Sequence, residues 1–263
     1  MQIRCIKYHG AGNDFIIIRD ADGTIGRALN QLSIEALCQR RTGIGADGLI
    51  LIQDHDEVDF EMVYFNSDGR LSSMCGNGGR CSAWYAYKLG IAADQHRFKA
   101  VDGIHSADCT RSTSVNLEMR PVALPETWRE GHIIDTGSPH YVEFVDDLGF
   151  DLVARARTIR YSDRFKEVGV NVNYVQIREE GLAIRTYERG VEDETLACGT
   201  GVTAGALVWS SIHGHRPERV AVEARGGDLS VSFGRVSQGF FHDVWLSGPV
   251  QKVFEGTFDL NDF

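Results

Sequence analysis

The chain has 263 residues, 43% of them hydrophobic and 24% charged, which is the composition of a globular protein rather than a disordered or fibrous one. Its 27 basic and 37 acidic residues give a formal net charge of −10, and this charge argues against binding to nucleic acid or to anionic membrane surfaces. Neither a signal peptide nor a membrane span is indicated, and six scattered cysteines are too few for a disulfide framework. We therefore expect reduced thiols and a cytoplasmic location.

Segments in which polar and apolar residues alternate predict many half-buried strands. In chain order these segments begin at Gln2, Val58, Ser114, His140, Asn171, Gly181, Arg219, Asp228 and His242. Helical patterns are fewer: one helix is predicted from about Ser33 to Arg40, with Ser33 as its cap, and one after each of two Cys-Gly motifs. The predicted fold class is α+β, with mixed, mostly antiparallel sheet.

An internal repeat is the clearest sign of organisation. The sequence CGNGGRCSA begins at Cys75 and opens an apolar, helix-like run that stops at Gly90. The sequence CGTGVTAGA begins at Cys198 and opens a run of similar length that stops at Gly214. Each run is apolar or small on most faces, so we expect each helix to be surrounded by its own sheet. Two similar halves that face each other across a cleft are therefore predicted.

The boundary between the halves is predicted near the middle of the chain. Residues 119–131 contain two of the five prolines, and we interpret this stretch as the connector. The expected first half is residues 1–118, completed by residues 251–263. The expected second half is residues 119–250.

Each Cys-Gly motif follows a strand that ends in a polar residue, Asn66 before Cys75 and Glu188 before Cys198. Glycines let backbone N–H groups approach a ligand, and a helix N-terminus carries partial positive charge, so each motif can bind a carboxylate and favour a thiolate. Two such motifs at one carboxylate would place a thiol on each face of the adjacent carbon. That arrangement can remove a proton from one face and deliver a proton to the other.

Three other hypotheses explain the same residues less well than the two-thiol hypothesis. Cys75 and Cys81 lack the C-x-x-C spacing of a zinc site, so no metal is expected. A thiol hydrolase with His9 or His140 as the base would use one motif and leave the other without a role. A protein that binds an amino acid without catalysis also stays open. The remaining cysteines are expected to be small buried apolar residues: Cys5, Cys38, Cys81 and Cys109.

Several segments, taken in order along nearly the whole chain, resemble the diaminopimelate epimerase family. They are residues 9–18 (HGAGNDFIII), 40–52 (RRTGIGADGLILI), 64–81 (YFNSDGRLSSMCGNGGRC), 135–142 (DTGSPHYV), 171–177 (NVNYVQI) and 187–201 (YERGVEDETLACGTG). Because the set includes both cysteine motifs in family order, the resemblance is specific.

The resemblance implies two pseudo-symmetric α/β domains, each a sheet wrapped around a central helix. It implies an isomerase that interconverts LL- and meso-2,6-diaminopimelate in lysine and cell-wall precursor synthesis. No pyridoxal or other cofactor is implied. The implied partner is a small-molecule substrate, with neither nucleic acid nor membrane, and a homodimer is one assembly that the resemblance allows.

The resemblance also assigns residues. Cys75 and Cys198 would be the two acid/base groups. The backbones of four residues would bind the carboxylate at the reacting centre: Gly76, Asn77, Gly199 and Thr200. Five further positions match substrate-binding residues, and a histidine lies beside them: Asn13, Asn66, Asn171, Glu188, Arg189 and His140. On local chemistry alone, Asn66 could be an ordinary turn residue, His140 a core residue, and Asn173 an alternative to Asn171.

Two departures from the family pattern bear on recognition. The sequence has Gly137-Ser138-Pro139-His140 where many members have Asn at the second position, which removes one amide. The stretch that starts at Glu188 is one residue longer than usual, so the turn before Cys198 is expected to differ. A proline racemase or hydroxyproline epimerase is the nearest rival, and Glu188 and Arg189 argue against it because cyclic substrates lack a distal charged end.

Overall fold

The computed structural model describes residues 1–72, 74–111, 114–214, 219–234 and 236–263. The chain forms two compact units. Unit 1 consists of Met1–Leu117 and Gly248–Phe263, and unit 2 consists of Glu118–Ser247. Within the described residues, no helix is both long and apolar enough to cross a membrane.

The strands are numbered in chain order: β1 (Gln2–Gly10), β2 (Asn13–Arg19), β3 (Gly48–Gln53), β4 (Phe60–Asn66), β5 (Gln95–Ala100), β6 (Gly103–Asp108), β7 (Ser114–Met119), β8 (Val122–Ala123), β9 (Glu126–Trp128), β10 (Gly131–Asp135), β11 (Pro139–Phe144), β12 (Asn171–Arg178), β13 (Gly181–Glu188), β14 (Asp193–Thr195), β15 (Val220–Ala224), β16 (Gly227–Ser232), β17 (Val236–Ser237), β18 (Phe240–Phe241), β19 (Val244–Pro249) and β20 (Gln251–Asp259). The helices are α1 (Thr24–Ala28), α2 (Gln31–Cys38), α3 (Gly76–Leu89), α4 (Leu152–Arg160) and α5 (Gly199–His213), with a 3₁₀ turn at Leu260–Asp262.

Unit 1 contains a mixed sheet in the order β20-β1-β2-β3-β4-β5-β6-β7. The pairs β2–β3 and β4–β5 are parallel, and the other neighbours are antiparallel. Helix α3 packs against β1, β2, β3 and β4. A parallel pair requires a crossover connection, and α3 lies in the connection between β4 and β5.

Unit 2 repeats this arrangement. Its sheet has the order β9-β10-β11-β12-β13-β15-β16-β19, with β11–β12 and β13–β15 parallel and the other neighbours antiparallel. Helix α5 lies between β13 and β15 in the chain and packs against the sheet, as α3 does in unit 1. The matching order of parallel and antiparallel pairs confirms the predicted α+β class and its two pseudo-symmetric sheets, each around a central helix.

The two central helices begin and end where the sequence predicts. Cys75 and Cys198 are the N-cap residues of α3 and α5, with extended backbone angles. Gly90 and Gly214 end the helices in the left-handed conformation, at φ 73° and 65°, which glycine adopts without a Cβ clash. The two upstream strands also end as predicted, β4 at Asn66 and β13 at Glu188.

The other face of each sheet is covered by a helix that joins a parallel pair of strands: α2 in unit 1 and α4 in unit 2. Sequence analysis predicted a helix from about Ser33, whereas α2 begins at Gln31 and ends at Cys38. Asn30 is the cap, and Ser33 is the third helical residue of a capping box. Helix α4 was not predicted, although Asp151 caps it and its buried residues recur at helical spacing: Leu152, Ala156 and Ile159.

Residues 119–131, the predicted connector, contain the short strands β8 and β9 and lie within unit 2, which begins at Glu118. The Trp128 ring packs edge-on against Tyr141 and Phe165, with centroid distances of 5.8 and 5.1 Å. Pro121 directly precedes β8, and Pro125 directly precedes β9.

Candidate active site

The first turns of α3 and α5 are built in the same way. Each begins with a cysteine whose carbonyl accepts the first helical hydrogen bond, from Gly79 to Cys75 (2.7 Å) and from Val202 to Cys198 (2.9 Å). The three N–H groups before that donor have no partner within a helix, and the helix dipole adds partial positive charge. Each first turn can therefore bind a carboxylate beside a thiol.

The Cys75 site consists of Cys75, Gly76, Asn77 and the side chain of Asn13 at the start of β2. The Cys75 Sγ donates to Asn13 Oδ1 at 3.5 Å, and Asn77 Nδ2 donates to the same oxygen at 3.3 Å. Asn13 thus holds the thiol and the first helical turn together. The structure brings together these predicted residues from two different elements.

A network of charges fixes the orientation of Asn13. Asn13 Nδ2 donates to Asp47 Oδ2 at 2.6 Å, so its Oδ1 must face Cys75. Arg40 bridges Asp47 and Asp14, and Lys7 lies 2.8 Å from Asp14. Burial opposes the ionisation of Asp14, but hydrogen bonds from Arg40 and Lys7 outweigh it and hold its pKa at about 2. Asp14 therefore stays ionised over the whole physiological range.

Asn66 lies at the end of β4, next to this network. The Asn66–Gly69 turn is closed by Gly69 N–H donating to the Asn66 carbonyl at 2.9 Å. The following residue, Ser67, donates its N–H to the Asp47 carbonyl at 3.1 Å. Asn66 is exposed, so its side chain is available to a ligand. The ordinary turn and the substrate contact are thus compatible.

The Cys198 site consists of Cys198, Gly199, Thr200 and the side chain of His140 on β11. The Thr200 hydroxyl lies 3.3 Å from Cys198 Sγ and 2.9 Å from His140 Nε2. His140 is fully buried, and burial lowers its pKa to about 3, so the ring is neutral at physiological pH.

The partners of His140 fix its tautomer. Asn173 Nδ2 donates to His140 Nδ1 at 3.0 Å, so the single ring proton is on Nε2 and is donated to Thr200. The Thr200 hydroxyl then has its own proton free to donate to Cys198. Asn173 itself is fixed, because it donates to the Tyr141 carbonyl and accepts from Thr186. The chain of donors ends at the thiol and stabilises its thiolate form.

Close packing keeps this chain in place. A Cβ on Gly201 would lie 2.4 Å from Asn173 Oδ1, so only glycine lets α5 approach the amide. Thr136 Oγ1, directly after β10, donates to the Thr200 carbonyl at 2.8 Å and so connects the first turn of α5 to the end of β10.

Asn171 connects the Cys198 site to Arg189. Its Oδ1 accepts the Arg189 backbone N–H at 2.8 Å, and its Nδ2 donates to Ser138 Oγ at 3.0 Å. Nη1 and Nη2 of Arg189 donate to the Val168 carbonyl (2.8 Å) and to Ser138 Oγ (3.3 Å), and the side chain is exposed. Asn171 therefore occupies the position next to the exposed guanidinium, while Asn173 is enclosed. Glu188, half-buried, precedes Arg189 at the end of β13.

Comparison with known proteins identifies the family. The diaminopimelate epimerase family model matches residues 5–124 and 132–253. A diaminopimelate epimerase of Flavobacterium psychrophilum is 44% identical over 257 residues, covering 97% of this chain and 100% of that protein. One of Aquifex aeolicus is 39% identical, covering 95% of each chain. The chain belongs to the diaminopimelate epimerase family.

Solved structures with low sequence identity share the fold of this family member. A Bacillus anthracis phenazine biosynthesis protein of the PhzF family has a TM-score of 0.74 at 14% identity, covering 98% of this chain and 99% of that chain. A probable proline racemase from Agrobacterium radiobacter has a TM-score of 0.70 at 14% identity, covering 99% and 94%. These likenesses concern the architecture alone.

Both departures from the family pattern have a structural counterpart. The Ser138 hydroxyl accepts from Asn171 and lies 3.3 Å from Arg189, so it contacts two of the residues predicted to bind the substrate. In the longer turn, Glu192 adopts φ 60°, and its carboxylate accepts from Arg160, Tyr187 and the Gly190 N–H at 2.9, 2.9 and 3.2 Å. The extra residue is thus anchored in unit 2.

Sequence analysis missed the residues that support the two sites, above all Asp47, Thr136 and Arg80. Arg80 Nη2 donates to Asn77 Oδ1 at 2.6 Å from within the core of unit 1. One signal was present, because Arg80 is the single basic residue in a glycine-rich turn whose neighbours are small. Asp47 gave no such signal, since its partner Asn13 is 34 residues away in the chain.

Proposed function

We propose that the protein interconverts LL- and meso-2,6-diaminopimelate by proton transfer between the substrate α-carbon and two thiols, Cys75 and Cys198. One observation carries the proposal. Two helices at matching positions of two repeated sheets each begin with a cysteine, which lies beside the backbone N–H groups of the first helical turn, in a chain of the diaminopimelate epimerase family. A single thiol needs only one such helix, whereas inversion of a carbon needs a proton acceptor and a proton donor on opposite faces.

The proposed step balances in protons and charge. One cysteine is a thiolate and removes the α-proton, and the electron pair left on the α-carbon is delocalised into the adjacent carboxylate. The N–H groups of Gly76, Asn77, Gly199 and Thr200 stabilise the added charge on that carboxylate. The other cysteine, a thiol, donates its proton to the opposite face. The two sulfurs exchange protonation states, so the reverse reaction uses the same groups in exchanged roles.

The distal end of the substrate is assigned to unit 2 and to the Asn66 turn. The exposed Arg189 guanidinium suits the distal carboxylate because it can bind both oxygens at once. Glu188 suits the distal ammonium group, and Asn66 and Asn171 supply amides. His140 acts in this scheme through Thr200, since both of its ring nitrogens are engaged within the protein.

The reaction needs no cofactor in this proposal, because thiolate and thiol suffice for proton exchange. We place the reaction in the cytoplasm, where precursors of lysine and of the cell wall are made. The small-molecule substrate is the one partner that the proposal requires.

The test is deuterium incorporation. Purified protein in heavy water is mixed with LL-diaminopimelate, and solvent deuterium is expected at the α-carbon as the meso isomer accumulates. Treatment with a chelator or with a carbonyl reagent that traps pyridoxal should leave the rate unchanged. Proline and hydroxyproline serve as control substrates and should give no exchange. Exchange with these cyclic amino acids and none with diaminopimelate would overturn the proposal in favour of a proline racemase.

A further inference from the structure

Arg80 is a buried cation for which the scheme above has no role. It lies in the second turn of α3 and has no solvent exposure. Among the described residues, Nε and Nη1 of Arg80 have no hydrogen-bond partner, and no carboxylate forms a salt bridge with the guanidinium. Burial of a charge without a counter-ion is costly, so natural proteins seldom retain one without a reason.

The surrounding packing fixes the position of this charge. A Cβ on Gly248 would lie 2.9 Å from the Arg80 Cζ and 2.9 Å from its Nε. The absence of a side chain at Gly248 therefore lets the backbone of β19 approach the guanidinium. Burial lowers the pKa of Arg80, yet a guanidinium stays protonated in proteins, so the charge persists.

Arg80 is joined to the thiol by a chain of two amides. Because Arg80 Nη2 donates to Asn77 Oδ1, the Asn77 amide must point its Nδ2 at Asn13. Asn13 Oδ1 then accepts two hydrogen bonds, one from Asn77 Nδ2 and one from the Cys75 thiol. We propose that Arg80 is a positioning residue, which orients Asn77 and Asn13. Its positive charge favours the thiolate of Cys75 and offsets the Asn13 oxygen, which by itself favours the thiol. This inference rests on the proposed function of Cys75.

The other ionisable groups on the strands packed against α3 do not compete with Arg80. Burial raises the pKa of Tyr8 and of Cys5, which keeps both neutral. His9 Nδ1 accepts the Gly12 N–H. The remaining charges are paired with one another: Lys7 and Arg40 with Asp14, Arg4 with Glu255, Arg19 with Asp54, and Lys99 with Glu61. On α3 itself, burial raises the pKa of Cys81 and keeps that thiol neutral.

Thermal stability and thiol reactivity together distinguish the proposed role of Arg80 from a purely structural one, because burial of its charge costs folding free energy. If Arg80 served the fold, its loss would lower the thermal midpoint. If it serves the thiolate, an uncharged side chain of similar volume relieves the fold of a buried charge while the thiol becomes less reactive. Stability and reactivity should then change in opposite directions.

The experiment measures the alkylation of Cys75 by iodoacetamide in a Cys198→Ala background. Cys5, Cys38, Cys81 and Cys109 are at most 3% exposed, so peptide mapping resolves the Cys75 adduct from slow background. Three variants are compared. Arg80→Met removes charge and donor, Arg80→Gln keeps a donor for Asn77, and Arg80→Lys keeps both. Arg4→Met, whose side chain is 77% exposed, is the matched control.

Loss of the charge is expected to raise the pH midpoint of alkylation by about one unit, which slows the reaction roughly tenfold at pH values below that midpoint. Arg80→Met and Arg80→Gln should both show the slowing, with thermal midpoints at or above that of the parent. Arg80→Lys should retain most of the rate, and Arg4→Met should match the parent. With Cys198 restored, the first two variants should lower kcat for diaminopimelate more than they raise KM.

Unchanged alkylation in both folded neutral variants would overturn the proposal, as would equal slowing in Arg80→Lys and Arg80→Gln. If Arg80→Met does not fold, Arg80→Gln alone decides between these outcomes. The alkylation readout needs no substrate. A parent protein without epimerase activity would overturn the proposed function, whereas the alkylation ratios would still test Arg80.

Discussion

The Cys75 site and the Cys198 site have the same backbone and different support. In unit 1 the thiol donates to an amide, and the chain of amides ends at a buried cation, Arg80. In unit 2 the sulfur faces a hydroxyl, and the chain behind it ends at a neutral histidine, His140. The two supporting side chains that reach the motifs, Asn13 and His140, lie at the starts of corresponding strands, β2 and β11.

The comparison shows that the repeat determines the position of each cysteine and does not determine the side chains that contact it. The order of parallel and antiparallel strands places a cysteine at the start of each central helix in both units. The side chains behind each sulfur then set its protonation separately. A two-thiol reaction that runs in both directions needs each sulfur to be the thiolate in turn, and the two units would meet this need with different side chains.

The largest effect is expected from removal of either sulfur. Cys75→Ala and Cys198→Ala should each reduce net epimerisation by at least about 10³-fold, because one face of the α-carbon then has no proton donor. Residual exchange in heavy water, followed by NMR, should favour opposite stereoisomers in the two variants. Near-parental inversion by either variant would show that its missing cysteine is not an acid/base group.

Removal of the hydroxyl beside Cys198 should have the next largest effect. Thr200→Val should lower kcat roughly 10-fold to 100-fold, the size expected for loss of a hydrogen bond to a charged group. Thr200→Ser keeps the hydroxyl and should restore most of the rate. Thr158→Val on the exposed face of α4 is the control and should leave kcat unchanged. Equal losses in the Val and Ser variants would contradict a role for the hydroxyl.

His140 should appear in the pH dependence of stability rather than of rate. Its folded pKa of about 3 lies below its ordinary value, so the unfolded chain binds a proton that the folded chain does not. The free energy of unfolding should therefore fall between about pH 6.5 and pH 3, by up to about 1.4 kcal/mol per pH unit from this group. Urea titrations at several pH values should show that the free energy of unfolding falls less steeply with decreasing pH in His140→Asn than in the parent.

The smallest effect is expected from the turn that follows Arg189. Glu192→Gln weakens the hydrogen bonds to Arg160 and Tyr187 and lets the turn move. We expect KM to rise about 2-fold to 10-fold, since ordinary hydrogen bonds contribute about 0.5–1.5 kcal/mol, with kcat almost unchanged. Steady-state kinetics would refute this if kcat fell and KM did not.

Local signals predicted the parts of the site that local chemistry determines. Cysteine, glycine and an apolar run placed both central helices between correct ends, because caps and helix periodicity act over a few residues. Strands β2 and β3 were not predicted, because their residues do not alternate between polar and apolar. Both strands are buried on both faces: one face of the sheet packs against α3 and the other faces α2.

The supports behind the sulfurs could not be predicted in this way. His140 meets Thr200 60 residues away in the chain, and no short pattern indicates which asparagine will face its Nδ1. The pleat does not distinguish Asn171 from Asn173, because residues two apart share a face of β12. The packing of α5 at Gly201 encloses Asn173, and no short pattern in the sequence indicates that packing.

The pairing of β1 with β20 has a consequence for how the chain is made. These strands pair from Gln2 with Asp259 to His9 with Gln251, so the whole of unit 2 is translated between them. At ribosomal speeds of about 5–20 residues per second this interval is roughly 10–50 seconds. During that time β1 presents an open edge of backbone donors and acceptors. We therefore expect the nascent chain to depend on chaperones at the edge of β1 and to be most prone to aggregation just before β20 leaves the ribosome.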